Sequence, residues 1–229
     1  MPLLFPHLPR LAMAPWRLSG VVYSALLNDP RQLAALGDAV HQPPYKAPPL
    51  HPVLAVRPRN TLAGDGDAIG VPAGADAVCT GPGLGLVIGR TACRVPQAGA
   101  LAWVAGYLVA NDLHLPISSH YRPAVRQMAR DGFCPLGPVV PGSKVADPDA
   151  LAISLALDGA VVWRGHSGGR VRSVAQLLSA VTEWMTLQPG DVLLLGSSAD
   201  TPPARPGQVM AVAIDGIGTL HNTLVAEAA

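Results

Sequence analysis

The chain has 229 residues, of which 49% are hydrophobic and 14% charged, and a formal net charge of +1. That length suits one large domain with a sizeable core or interface, and the absence of a basic stripe with interleaved aromatics argues against a nucleic-acid partner. Gly and Pro number 24 each, below the level of disordered low-complexity sequence, and with many short apolar runs they point to a turn-rich, mainly β protein with a few helices (α+β).

Residues 1–16 are rich in proline and read as a loose arm, with the domain proper over 17–229. LAMA (11–14) imitates a signal cleavage site, but Pro2, Pro6 and Pro9 break the apolar stretch before it and no basic segment precedes it. No signal peptide is expected. No apolar run is long enough to span a bilayer. Cys79, Cys93 and Cys134 show no CxxC spacing and read as reduced thiols. The expected location is the cytoplasm, with no membrane partner.

Ser19–Leu27 reads as a strand. Pro30–His41 reads as a helix, with Asn28 or Asp29 at the N-cap and Pro30 just inside it. Val53–Val56 is a short strand ending at Arg57-Pro58. Asn60–Asp76, with Gly64, Gly66, Gly70 and Gly74, is turn chemistry and predicts a β-hairpin or loop. Asp65 and Asp67 imitate a calcium loop, but the continuation to a distal Glu is missing. Cys79–Gly89 carries spaced glycines ahead of a strand-like run. A dinucleotide fingerprint needs them between strand and helix, so they are read as permitting close packing.

Pro96–Tyr107 predicts a helix, with Leu101, Val104, Ala105 and Leu108 on one face. The apolar run VAGYLVA then ends abruptly on Asn111-Asp112, a way to deliver a carboxylate at the end of a buried segment. Ile153–Arg164 is a hairpin turning at Asp158-Gly159, where a type I′ turn needs positive φ at both positions. Ser173–Thr186 is an amphipathic helix with a Ser173/Gln176 capping box, stopped by Pro189-Gly190. Asp191–Leu195, Val209–Ile214 and Thr219–Val225 read as closing strands.

The chemistry gathers after residue 111. Asp112, His114, His120, Tyr121, Arg122, Arg130 and Asp131 fall within about twenty residues. Singly, each reads as a surface or satisfied polar group. Together they offer acid/base groups and arginines able to clamp a carboxylate bidentately. We assign Asp112, His114, Arg130 and Asp131 as catalytic candidates, and Tyr121, Arg122 and Lys46 as substrate-binding candidates. His41, His51, His166 and His221 show no ligand spacing.

PPYKAPP (43–49), VRPRNTLAGDG (56–66), LGLVIGR (84–90), VAGYLVAND (104–112), YRP (121–123), RDGFCPLGP (130–138), LQPGDVLLLG (187–196) and DGIGTLHNTLV (215–225) occur in an order that resembles the fumarylacetoacetate hydrolase family. The chain is most similar to the first half of its two-half isomerase/decarboxylases. The resemblance implies a mixed β-sandwich roll and chemistry on small 2-oxo dicarboxylates or tricarboxylates. It also implies a homo-oligomer, or a partner in a homologous metal-competent subunit.

Family members hold magnesium or manganese with a Glu-x-Glu pair and the Asp of an Asn-Asp step. Here the Glu positions fall on Gly81 and Gly83, and only Asp112 remains. The family's His and Glu near the N-terminus are absent from Val22-Tyr23-Ser24-Ala25. Its Lys falls on Met128, and its GTPxG reads Gly196-Ser197-Ser198-Ala199-Asp200. The resemblance therefore implies a metal-poor first subunit. A non-catalytic partner that stabilises a catalytic homologue, and another 2-oxo acid hydrolase or hydratase, remain alternatives.

Overall fold

The computed structural model of the chain describes residues 21–227; the arm read from 1–16 and the first residues of the expected domain lie outside them. In chain order the strands are β1 (Val22–Leu26), β2 (Val53–Arg57), β3 (Leu62–Ala63), β4 (Ala68–Val71), β5 (Pro82–Ile88) and β6 (Val104–Asn111). They continue with β7 (Cys134–Pro141), β8 (Ala152–Leu157), β9 (Ala160–His166), β10 (Val192–Leu194), β11 (Val209–Ile214) and β12 (Gly218–Ala226). The helices are α1 (Pro30–Ala34), α2 (Val125–Met128) and α3 (Val174–Thr182). The protein is mainly β, as its composition predicts.

Two sheets form. One runs β2-β1-β10-β5-β6-β7-β3, the other β4-β12-β11-β8-β9. They face each other, with β12 against β6 and β7, β11 against β6, and β8 against β5. Leu84, Leu86 and Ile88 of β5 and Tyr107 and Val109 of β6 enter the core between the sheets, with Leu155, Val212 and Leu220 from the opposite side. Alternate residues, Val87, Leu108 and Ala110, join Leu62, Cys134 and Leu136 in a second cluster. The central strands of the larger sheet are therefore buried on both faces, which explains their near-continuous apolar sequence. At Gly85 a Cβ would lie 2.5 Å from Leu108 Cδ1 and 3.0 Å from Leu194 Cδ2. The missing side chain is what lets the neighbouring strands' leucines close over β5.

Several elements differ from expectation. The helix expected over Pro96–Tyr107 is a short 3-10 turn, Ala100–Trp103, followed by β6. Short apolar runs do not separate the helical period from a buried strand. Here β6 pairs antiparallel with both β5 and β7, so its amides are satisfied across the sheet. The helix expected over Pro30–His41 stops at Ala34, and a 3-10 turn covers Gly37–His41. Gly37, the first residue of that turn, lies at φ 50°, and no residue of α1 is buried, so no core contact extends the helix. Asp29 is its N-cap, accepting from the Arg31 amide, while Asn28 bonds the Arg172 and Leu195 carbonyls. Of the hairpin or loop expected over residues 60–76, the hairpin does not form. β3 runs parallel to β7 in one sheet and β4 parallel to β12 in the other, so the glycine-rich segment is a crossing between sheets.

The hairpin at Asp158-Gly159 forms, with φ 51° and 81° at those positions. The Ser173/Gln176 capping box is present at α3. That helix buries Val174, Leu177, Leu178 and Val181 but ends at Thr182, four residues before the expected end. The Thr182 carbonyl accepts the Arg94 amide, which takes it out of the helical ladder. Among the described residues no helix is long and apolar enough to cross a membrane.

Candidate functional site

β6 carries the chain through the middle of the larger sheet and delivers Asn111 and Asp112 at its end, both buried. The Asn111 Oδ1 accepts the Gly81 amide at 2.8 Å, and the Asp112 amide donates to the Gly81 carbonyl at 2.8 Å. Gly81 is thus clamped against the Asn-Asp step. A Cβ at Gly81 would lie 2.4 Å from the Asp112 carbonyl oxygen, and one at Gly83 3.3 Å from the Gly196 carbonyl oxygen.

Both oxygens of the Asp112 carboxylate are engaged. Ser24 of β1 donates its hydroxyl to Oδ2 at 2.5 Å. The Arg57 guanidinium, at the end of β2, forms an ion pair with Oδ1. Oδ1 receives no aligned hydrogen bond, so the pairing is electrostatic. Arg57 is fully buried, and its head group also donates to the Met128 carbonyl and, at 2.9 Å, to the Leu113 carbonyl. Its Nε has no partner. Cys134, on β7, lies within this field. Burial foremost, and then the Asp112 carboxylate, push its thiol up to about 12 against the opposing pull of Arg57, which leaves it no nucleophile at neutral pH.

Asp112 forms one wall of a pocket of about 230 Å³ with His114, His120, Gln32 and Ser197. Leu26, Leu36, Ile117 and Met128 supply its apolar lining. The His114 Nδ1 donates to the Leu115 carbonyl at 2.8 Å. The His120 backbone amide donates to the Tyr45 hydroxyl at 2.8 Å, and its ring Nδ1 is buried without a partner. Burial, then the neighbouring His114, depress its pKa below the usual 6.5, so this imidazole is neutral at pH 7. The pocket offers two imidazoles, of which that of His120 is neutral, and a compensated carboxylate.

The other candidates lie elsewhere. Tyr121 and Arg122 line an adjoining apolar cleft of about 460 Å³ against Val53, Leu54 and Val56, and His120 borders both spaces. Lys46 is exposed, at φ 71°. Arg130 faces Glu227 at 3.7 Å, and Asp131 accepts from Asn60 at 2.7 Å; neither borders the pocket beside Asp112. Sequence reasoning missed Arg57 and Ser24. Arg57 ends the strand VLAVR, whose register with β1 sets it opposite Val22. A charged residue ending an apolar strand gives no sign of its partner, which comes from residue 112.

The residues present do not fit a divalent cation. Such an ion wants about six oxygens in a regular array, whereas both oxygens of Asp112 are engaged, and Gly81 and Gly83, where the family resemblance implies Glu ligands, carry no side chain. No group of three His, Cys, Asp or Glu able to hold a metal occurs among the described residues.

Two facing, curled β-sheets with a carboxylate at the end of a central strand define a β-sandwich roll with a buried polar site. The family model for the fumarylacetoacetate (FAA) hydrolase C-terminal domain matches residues 21–225, and the chain belongs to that family. It is 40% identical over 210 residues to the 4-hydroxyphenylacetate degradation bifunctional isomerase/decarboxylase of Salmonella dublin, covering 92% of this chain and 48% of that protein. The chain spans about half the length of that relative and its Escherichia coli counterparts. Among solved structures, 5-carboxymethyl-2-hydroxymuconate delta-isomerase from Mycobacterium smegmatis superposes with a TM-score of 0.77 at 28% identity, covering 93% of this chain and 81% of that one. Fumarylpyruvate hydrolase from Pseudomonas aeruginosa, in complex with Mn2+ and pyruvate, gives 0.73 at 25% identity, covering 90% of each chain.

Proposed function

We propose that the chain is the metal-poor first subunit of a 4-hydroxyphenylacetate-type isomerase/decarboxylase, acting in the cytoplasm with a homologous subunit that keeps the full carboxylate set. The observation that carries this reading is the half-length match, 92% of this chain against 48% of its relative. The reactions are decarboxylation of an unsaturated 2-oxo tricarboxylate and proton transfer within the resulting 2-hydroxy-diene dioate. In this chain Asp112 and His114 are the site residues that share the pocket, joined by His120. Tyr121 and Arg122 are the substrate-carboxylate candidates, reached through the cleft that His120 borders. Lys46, Arg130 and Asp131 would need an assembled partner to meet substrate. Magnesium or manganese then belongs to the partner half.

A second reading, a non-catalytic partner that stabilises an active homologue, is favoured by the double engagement of Asp112. Assays of each chain alone and mixed, with magnesium, separate the two. The subunit reading expects little turnover by this chain alone, and turnover by the mixture that falls when His114→Ala is introduced here. Full turnover by this chain without a partner would contradict both readings. A mixture indifferent to His114→Ala would favour the stabilising role.

A further inference from the structure

The head group of Arg57 sits in a cage made of oxygen. The Asp112 carboxylate, the Leu113 carbonyl and the Met128 carbonyl surround it, and Ser24 holds the far oxygen of the same carboxylate. All-oxygen surroundings with one carboxylate are the environment of a hard cation. Arg57 is fully buried and Asp112 nearly so, which makes an uncompensated charge on either costly. The ion-pair contact reaches the one family carboxylate that this chain retains. The glycines at 81 and 83 remove the remaining anionic ligands, and a side chain at Gly81 would collide with the Asp112 backbone.

We propose that the Arg57 guanidinium is a built-in replacement for the divalent cation: it compensates Asp112, ties the ends of β2, α2 and β6 together beneath the pocket, and closes the position to metal. A guanidinium suits this because it stays charged when buried and donates in several directions at once. Asp112 is then a positioning residue fixed by Arg57 and Ser24, and the free acid/base groups of the pocket are the histidines. The inference rests on the family assignment, and holds whether or not the chain is catalytic.

The test is a double-mutant cycle on the full chain, read by denaturant unfolding. Asp112→Asn and Arg57→Met singly should each lower the folding equilibrium constant roughly a hundred- to a thousandfold, because each strands one buried charge. The double variant should be more stable than Asp112→Asn, since it strands neither. A double variant less stable than Asp112→Asn overturns the pairing, and this comparison stands even if Arg57→Met alone does not fold. Arg57→Lys keeps a cation and should retain more stability than Arg57→Met. The cation role has its own readout. Millimolar manganese should leave the thermal midpoint of the wild type and of the double variant unmoved, and raise that of Arg57→Met, or restore its folding, by entering the vacated oxygen cage. A wild type stabilised by manganese, or an Arg57→Met chain indifferent to it, overturns the replacement.

Discussion

His120 shows how burial converts an ordinary side chain into a poised one. Its ring lies between the pocket and the cleft, with Nδ1 buried and unpartnered. Desolvation and then His114 lower its pKa from 6.5. A group protonated less readily in the folded state binds more protons when unfolded, so its contribution to stability is present above about 6.5 and is lost as pH falls below that value. His120→Gln should flatten this part of the stability-against-pH curve while sparing the neutral plateau, and the His120 ring proton resonance should titrate below 6.5 in NMR. A midpoint above that would contradict the buried setting. Asp29 works in the carboxylate range. Burial raises its pKa, but hydrogen bonds from the Arg31 side chain and from the Ala199 and Arg31 amides outweigh it and hold the group at about 2, against 3.8. The stability it contributes is present above 3.8 and is lost as pH falls towards 2. Asp29→Asn should lose that acid limb, measured as urea midpoints across the interval. An unchanged limb would show that the cap and the Ala199 tether are not formed.

At the scale of elements, local chemistry and long-range pairing divide the work. The turn at Asp158-Gly159 needs left-handed backbone at both positions and is further fixed by Asp158 accepting from Gln208 and Val209. Gly159→Val places a β-branched residue at φ 81° and should destabilise by about 1–2 kcal/mol in thermal unfolding. No change there would argue against the type I′ geometry. Ser173→Ala removes one half of the capping box of α3 and should cost about 1 kcal/mol. The β6 segment is the contrasting case. Its helical spacing of apolar residues was an accident of a strand buried on both faces, and the neighbours β5 and β7 decided its state.

Across the whole molecule the exposed apolar surface is uneven. Leu50, Val56, Tyr121 and Val125 are each more than half exposed, and the last three border the cleft beside the edge strand β2. Among the described residues β2 is a sheet edge, and an edge flanked by apolar side chains favours association. The chain alone should therefore run as at least a dimer in light scattering, with an interface of about 2,000 Å² or more if it is obligate. A monodisperse monomer at micromolar concentration would count against the subunit reading.

Much of the fold was legible in the amino-acid sequence because it depends on neighbours in the chain. The mainly β character, the Asp-Gly turn, the capping box, the closing strands and the position of Asp112 at the end of an apolar run all follow from period, turn chemistry and composition. So did the glycines at 81 and 83, whose lack of side chains is a local fact. The tertiary structure alone decided what Asp112 does. Its partners, Ser24 and Arg57, stand 88 and 55 positions away in sequence, and neither carries a mark that names a distant carboxylate. The same holds for His120, whose lowered pKa is a property of burial between two spaces, and for Arg130 and Asp131, adjacent in the chain yet turned to Glu227 and Asn60. The physical reason is common to all three: a charge is assigned its role by desolvation and by the oppositely charged or polar groups that folding brings to it, and those come from other strands.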